Sequence, residues 1–557
     1  MELLERARQW ASHDPDPATA SALSADIEAA QRGDEEAVAR VGAAMNGPLQ
    51  FGTAGLRGTV GPGESRMNLA VVIRATAGLC EVVKRHATGT PTLVVGCDAR
   101  YGSSEFAAAA CRVASAAGVR VLALPQANPT PLTAFSMLHF DADAGVMVTA
   151  SHNPAPDNGY KVYLGGTVAQ GDGRGVQIVP PFDAEIAAAI EAAPPADEVP
   201  MNDDLVEAVD PREEYVACVS ALASGEASAR EDLRIVLTAM HGVGAAITSR
   251  VLAEAGFSNV SLVEAQAQPD PDFPTVPFPN PEEAGALDMA IEQAREQGAD
   301  LIIAVDPDAD RCALAVPDPT SETGWRPLSG DQIGSLLGEF LASRGMKGSL
   351  ANSIVSSRLL SRIARAHGLE HHTTLTGFKW IARAPGLGFG YEEAIGFCPD
   401  PAHVRDKDGI ATSVVAASLV AALKAQGCSV WDELERLARL HGLHVSSPLT
   451  FRVEEIEQIA NGMARLRAQP PSVLAGSPVV EVSDLSQGYR GLPPTDGVLV
   501  LTEAGDRVIA RPSGTEPKLK CYLEVILPVT EGEPLPWDQA RERLDAIKGA
   551  FAEIIGL

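Results

Sequence analysis

Five short, mostly apolar runs, each ending in a polar loop, restrict this 557-residue chain to an α/β architecture. They are Thr92–Asp98 (TLVVGCD), Val119–Pro125 (VRVLALP), Gly145–Thr149 (GVMVT), Leu233–Met240 (LRIVLTAM) and Ala299–Val305 (ADLIIAV). Runs of this length bounded by turn residues read as strands buried on both faces. Helical stretches at Glu105–Ala117 and Ala245–Ala255 intervene, so the order predicts largely parallel sheets covered by helices. Open α/β sheets keep their chemistry at the C-terminal ends of strands. The loops that follow these runs are therefore the candidate sites.

GVMVT runs into Ala150, Ser151, His152, Asn153 and Pro154, and Asn153, Pro154, Pro156 and Asp157 force a loop that presents Ser151 at a strand's end. A serine there is a nucleophile, a phosphate carrier or a turn hydrogen bonder. ADLIIAV runs into Asp306, Pro307, Asp308, Ala309, Asp310 and Arg311. Three carboxylates at alternate positions can converge on a point and repel one another unless a cation lies between them. A calcium EF-hand requires Gly at its sixth position and Glu at its twelfth, where Arg311 and Pro317 stand. Hard oxygen ligands that leave room for other donors suit Mg²⁺ holding a phosphoryl group, and a solvated turn is the competing reading. LRIVLTAM runs into His241, Gly242, Val243 and Gly244, with Glu264 further on; this mimics a dinucleotide fingerprint, but Ile247 occupies the third glycine position and the match is rejected.

Asp plus Glu number 73 against 44 Lys plus Arg, a net charge of −29 that excludes nonspecific nucleic-acid binding. An anionic ligand must then meet locally concentrated cations. Phe51–Gly58 is a glycine-dense loop carrying Arg57, either a flexible turn or an approach to an anion. Later come a helix through Asp331–Ser343, a strand-like Gly348–Val355, the segment Thr376, Gly377, Phe378, Lys379 and Trp380, the glycine-flanked acids Glu392 and Glu393, and His403 to Gly409 with Lys407. Glycine-flanked carboxylates suit sugar hydroxyls, because each offers two acceptor oxygens. Short strands at Gly497–Leu501, Asp506–Ala510 and Lys518–Ile526 predict a small antiparallel α+β domain, the last strand turning Leu519, Cys521, Leu523 and Val525 inward and Lys518, Lys520, Tyr522 and Glu524 outward. Between two of them Arg511, Ser513, Gly514, Thr515 and Lys518 form a compact phosphate grip or a plain turn.

Residues 1–45 read as a helical, solvated arm over the first domain, and Ala192–Asp204 as a linker. Eight cysteines without a C-x-x-C pair read as reduced core thiols. Val414–Leu423 is too short to span a bilayer and fits a buried helix, and the acidic N-terminus lacks the features of a signal peptide. The expectation is a cytoplasmic enzyme or binding protein with no membrane partner.

Four motifs in this order, T-A-S-H-N-P followed by N-G-Y-K, D-P-D-A-D-R, G-Y-E-E-A-I-G and R-P-S-G-T-E-P-K, resemble the α-D-phosphohexomutases, the phosphoglucomutase and phosphomannomutase superfamily. The resemblance implies three related α/β domains with mixed sheets and a smaller C-terminal α+β domain around a central cleft, at residues 1–205, 206–320, 321–443 and 444–557. It implies that Ser151 is the phosphoserine and that Asp306, Asp308 and Asp310 share Mg²⁺ with its phosphate. Arg57 and Arg311 would neutralise the transferred phosphoryl group, Lys161 would be general acid or base, and His152 would stand beside the serine. Thr376, Gly377, Lys379 and Glu392 would meet the sugar, Arg511, Ser513, Gly514, Thr515 and Lys518 the phosphate not being transferred, and His403 and Lys407 match a segment found in some members. The implied reaction moves a phosphoryl group between C1 and C6 of a hexose phosphate such as glucose or mannose phosphate, through a sugar bisphosphate intermediate, in a monomer or homodimer. Ala394 stands where the sugar loop usually has Ser, and Y-E-E-A-I-G resembles the branch with phosphopentomutases, so ribose or deoxyribose phosphate is the alternative. A serine hydrolase is disfavoured, since no G-x-S-x-G elbow surrounds Ser151 and an adjacent His152 is poorly placed as its base. A noncatalytic sugar-phosphate sensor would need neither Ser151 nor Lys161.

Overall fold

The computed structural model describes residues 2–52, 55–453, 455–512 and 518–556. The chain forms two compact units, Met1–Leu328 with Gly396–Ala422, and Ser329–Ile395 with Leu423–Leu557. In the first unit the apolar runs become the parallel strands Thr92–Cys97, Arg120–Ala123 and Ala144–Val148. Two strands that the sequence reading left as loop join them: Asp157–Leu164 pairs antiparallel with Ala144–Val148, and Leu56–Thr59 pairs antiparallel with Asp157–Leu164. Their glycines act as strand spacers rather than turn formers. A Cβ on Gly159 would lie 2.5 Å from Thr149 O and 2.8 Å from Leu56 O, and one on Gly55 would overlap Tyr160 O. Close backbone approach is what makes N-G and G-L-R-G sequences compatible with strands here. Past the expected linker, Val206–Ala208 returns to the same sheet beside Arg120–Ala123.

A second sheet in this unit orders Trp325–Pro327, Cys312–Pro317, Leu301–Val305, Arg234–Thr238 and Asn259–Leu262, with only the last three parallel. The segment Gly396–Ala422 closes on it. Gly409 N donates to Ala309 O at 3.1 Å and a Cβ on Gly409 would overlap Arg311 O, so the loop before this helix is seated against the aspartate loop. The helix Gly409–Ala425 is buried over most of its length, as its apolar run requires. Among the described residues no single helix is long and apolar enough to cross a membrane. The N-terminal arm is three helices, Glu2–Ser12, Pro17–Gln31 and Glu35–Ala44, the latter two capped by Asp16 and Asp34. They bury Ala7, Leu23, Ile27, Val41 and Met45 among themselves.

The second unit holds the parallel strands His371–Thr374, Ser349–Ser353 and Leu387–Glu392, with the helix Gly330–Ser343 started by a Ser329/Gln332 capping box. Its C-terminal sheet is antiparallel, from Leu443–Arg452 through Lys518–Leu527, Arg507–Pro512, Val498–Thr502 and Ser477–Asp484 to Val473–Leu474. Two expectations are corrected. Glu524 is not solvated but fully buried, accepting from Ser357 Oγ and Arg358 N at 2.8 Å and from Arg358 Nε at 2.6 Å, and paired with Arg507 and His444. Of the cysteines, all free, Cys218 is half-buried and Cys428 exposed, so not every thiol is a core residue.

Asp331 receives the Ser357 N–H at 2.7 Å, Ser446 Oγ at 2.6 Å and Tyr391 OH at 3.0 Å. Burial nevertheless pushes its carboxyl up to about 6, against the ordinary 3.8. A carboxyl that holds its proton more tightly folded than unfolded favours the folded state at low pH and loses that contribution as pH rises to the folded value. Chemical unfolding of Asp331→Asn and the parent at pH 4 and pH 7 is expected to show the variant gaining about 2 kcal/mol relative to the parent at the higher pH. A pH-independent difference contradicts it.

Candidate active site

Ser151 ends up where its strand aims it, and its backbone takes a left-handed turn with φ 52°. Thr149 holds that turn: its Oγ accepts from Ser151 N at 2.9 Å and donates to Asp98 Oδ2 at 2.6 Å. Arg100 grips the loop from beneath, donating to the carbonyls of Ser151 at 2.7 Å, Asn153 at 2.5 Å, Pro154 at 2.9 Å and Asp157 at 3.1 Å. A guanidinium with four backbone acceptors fixes a loop without consuming its side chains. Arg57, on the added strand, donates to Asn153 Oδ1 at 2.9 Å.

The serine hydroxyl donates to Asp306 Oδ2 at 2.9 Å and lies 3.1 Å from His152 Nδ1. The adjacent histidine, read as poorly placed to be the serine's base, thus lies within hydrogen-bond distance of the hydroxyl. Burial first, then Arg311 and Arg57, hold the His152 imidazolium well below its ordinary pKa, so the ring is neutral. Its ring edge meets Phe278 at 6.4 Å.

Asp306, Asp308 and Asp310 are all buried, and one oxygen of each lies within 4.8 Å of the others. Asp308 Oδ2 accepts from Thr130 Oγ at 2.6 Å and Lys161 Nζ at 2.7 Å; Asp310 Oδ2 is 2.8 Å from Lys161 Nζ and 2.9 Å from Lys407 Nζ. Asp308 Oδ1 and Asp310 Oδ1 are buried with no hydrogen-bond donor among the described residues. Burial raises the Asp306 carboxyl well above its ordinary value, and its two neighbours add to the shift. Burial pushes Asp308 and Asp310 upward, and Asp310 adds to this at Asp308, but Lys161 and Thr130 at Asp308, and Lys161, Lys407 and Arg311 at Asp310, outweigh it, so both sit low. Burial works to lower the Lys161 pKa, yet Asp308 and Asp310 carry it above the usual value, and Lys161 is an ammonium at 1% exposure. Three buried carboxylates with two orphaned oxygens and a serine hydroxyl on the third fit a hard, oxygen-preferring divalent cation.

Gly242 and Gly244, set aside as a nucleotide fingerprint, have another task. A Cβ on Gly242 would overlap Pro307 Cα and O and lie 2.7 Å from Pro307 C; one on Gly244 would lie 2.8 Å from Ala309 Cβ and Val305 Cγ2. The aspartate loop rests directly on this turn, with Val243 N donating to Pro307 O at 2.9 Å. Gly242→Ala must therefore shift the backbone of the loop. It is expected to cost about 1–3 kcal/mol in thermal unfolding and to raise the Mg²⁺ concentration needed for half-maximal activity; unchanged values for both would show the contact to be compliant.

Arg311 N donates to Asp306 Oδ1 at 2.9 Å and its Nε is 3.9 Å from Asp310 Oδ1. Lys407 joins the cluster through Asp310, anchored by Asp406, which accepts from Tyr163 OH and Gln177 Nε2 at 2.7 Å each. His403 does not join it; it is exposed and bonded to Asp400 at 2.6 Å. In the second unit, Gly377, with φ 107°, precedes the short helix Phe378–Ile381 that carries Lys379, and Thr376 Oγ is buried without a hydrogen-bond partner among the described residues. Glu392 ends its strand buried. Arg511 and Lys518 stand on the paired strands Arg507–Pro512 and Lys518–Leu527; Ser513, Gly514 and Thr515 lie outside the described residues. Tyr522, expected only as an outward residue, feels Glu393 and Glu392 and accepts a hydrogen bond from Arg511, after burial the causes acting on its raised pKa.

Sequence reasoning places Arg100 after a strand without giving it a role, and passes over Thr130, Tyr163 and Asp406. The one available signal was Arg100 directly after a strand end; Thr130, Tyr163 and Asp406 act through partners more than 30 residues away and carry no local pattern.

Residues 48–196, 213–320, 329–439 and 451–526 match, in turn, the alpha/beta/alpha domains I, II and III and the C-terminal domain described as Phosphoglucomutase/phosphomannomutase. A probable phosphomannomutase of Haemophilus influenzae is 44% identical over 82% of this chain and 93% of that protein. A phosphopentomutase of Mus musculus is 32% identical over 98% of this chain and 93% of that protein. The crystal structure of a putative phosphomannomutase from Thermus thermophilus superposes with a TM-score of 0.68 at 25% identity, covering 90% of this chain and 99% of that one.

Proposed function

From the premise that the chain belongs to the phosphoglucomutase/phosphomannomutase family and is a phosphosugar mutase, an isomerase, we propose that it exchanges a phosphoryl group between C1 and C6 of a hexose phosphate, glucose or mannose, with Ser151 as carrier. The observation that carries the reading is Ser151 Oγ set on Asp306, 2.9 Å away, at the edge of a buried three-aspartate loop that also holds an ammonium.

In the proposed cycle phosphoserine 151 passes its phosphoryl group to the free hydroxyl of a sugar phosphate. The P–Oγ bond breaks as Ser151 Oγ takes a proton from the Lys161 ammonium, the new P–O bond forms on the sugar, and the sugar hydroxyl's proton passes to the Lys161 amine so left. The resulting bisphosphate turns around and returns its other phosphate to Ser151. Asp306, Asp308 and Asp310 with Ser151 would hold Mg²⁺, which supplies charge neutralisation at the phosphoryl oxygens. Lys161, with His152 beside the serine, is the proton-handling group, and because its resting form is the ammonium it enters the cycle as an acid. Arg57 and Arg311 offset phosphoryl charge. Glu392, with Thr376, Gly377 and Lys379, meets sugar hydroxyls, Lys407 faces the substrate from Asp310, and Arg511 with Ser513, Gly514, Thr515 and Lys518 grips the phosphate that stays in place. Fixed grips that accept either end of one molecule convert the second transfer into an intramolecular event.

A second reading, transfer between the 1- and 5-positions of ribose or deoxyribose phosphate, is favoured by Ala394, which removes a hydroxyl from the sugar loop, and by a named phosphopentomutase aligned along 98% of the chain. A coupled mutase assay with Mg²⁺ across glucose, mannose, glucosamine and ribose 1-phosphates separates the two. The highest kcat/KM is expected on a hexose phosphate; a higher value on ribose 1-phosphate overturns the first reading in favour of the second.

A further inference from the structure

Three helices of the second unit, Gly330–Ser343, Leu359–Ala366 and Val430–His441, border a cavity of about 550 Å³. Its polar lining is Glu339, Arg362, Arg365, His367, Arg436 and His441. The single acid in that lining is already engaged: Glu339 accepts from Arg436 at 2.6 Å and lies 2.9 Å from His367 Nε2. Burial works to raise the Glu339 carboxyl, and Arg436 and His367 outweigh it, so it stays charged. Arg436 is also tied to Glu433 at 2.8 Å. Arg362 and Arg365 differ. They stand three residues apart, on one face of one helix, and neither has a hydrogen bond or ion pair among the described residues. Both are solvent-exposed and line the same cavity, Arg362 beside His441.

We propose that this cavity binds a phosphate monoester of metabolite size, its dianion on Arg362 and Arg365. Two guanidinium forks match the charge and the oxygen geometry of one phosphate dianion. The volume exceeds that of a bare inorganic anion and lies in the range of small-molecule sites. Leu440, 61% exposed at the lining, offers an apolar surface for the ester's organic body. The site shares no residue with the proposed catalytic machinery, so it stands or falls independently of the function assigned above.

The test uses the full-length protein and phenyl phosphate, which has a phosphate dianion and an apolar body but no sugar hydroxyl. Hydrogen exchange followed by mass spectrometry is expected to show protection of residues 359–367 and 430–441 that saturates with phenyl phosphate. Arg362→Ala/Arg365→Ala should weaken that protection about tenfold or more, whereas Arg511→Ala should leave it in place. Arg362→Gln and Arg365→Gln, tested singly, replace the double variant if it fails to fold, and each should weaken binding measurably. Absence of protection in these two segments, or protection unchanged by the arginine substitutions, overturns the proposal. Protection by succinate and not by phenyl phosphate overturns the assigned ligand class.

Discussion

Ser151→Ala is expected to lower mutase turnover by on the order of 10⁴-fold or more while sugar-phosphate binding persists. Its hydroxyl faces the aspartate loop, with Asp306 Oδ2 at 2.9 Å. Its neighbours cannot take over as carrier. Thr149 Oγ is committed to Asp98 at 2.6 Å, and Thr130 Oγ to Asp308 at 2.6 Å. The fold should tolerate the change, since one lost hydrogen bond to a carboxylate costs about 1–3 kcal/mol and Arg100 continues to hold the loop through backbone carbonyls. Two measurements check this: the coupled assay, and intact mass, in which the parent is expected to carry one phosphate that the variant lacks. Titration calorimetry with the sugar phosphate then separates carrier from receptor. Full turnover by Ser151→Ala sinks the phosphoserine cycle, and loss of binding together with turnover would mean that the serine shapes the pocket instead.

Much of this site was legible in the sequence because it lies in contiguous loops at strand ends. Ser151 and the three aspartates each follow an apolar run, and both the α/β class and the antiparallel C-terminal sheet follow from periodicity. What escaped is what depends on close approach or distant partners. Gly55 and Gly159 look like turn residues until the strands they separate are laid side by side, and with them went the strand that carries Lys161. Gly242 read as a failed nucleotide motif because its neighbour in space, Pro307, is 65 positions away. Glu524 follows the outward alternation of its strand, yet Ser357, Arg358 and Arg507 cover it, and alternation reports which face a residue is on without reporting what covers that face.

Replacing Lys161 with methionine, similar in length and uncharged, is expected to be the most destabilising single change at the site. Lys161 is 1% exposed, and its ammonium lies 2.7 Å from Asp308 and 2.8 Å from Asp310. Removing one partner of a buried ion pair leaves charge in a poorly hydrated place, which costs about 3–5 kcal/mol. Here two carboxylates lose their partner at once. Asp310 keeps Lys407 at 2.9 Å, whereas Asp308 keeps the neutral hydroxyl of Thr130 and has no second ammonium among the described residues. The loss should be largest in EDTA. Mg²⁺ on the same carboxylates would stabilise the folded state by mass action, and the vacated ammonium leaves them more negative, so added Mg²⁺ should recover a larger share of stability in the variant than in the parent. Thermal unfolding of both proteins with and without Mg²⁺ measures this. Turnover should stay low even where stability returns, by about 10²–10⁴-fold, the scale of a lost proton-transfer group. Equal stability of variant and parent in EDTA would refute the buried-charge account, and full turnover with Mg²⁺ would remove Lys161 from the proton path.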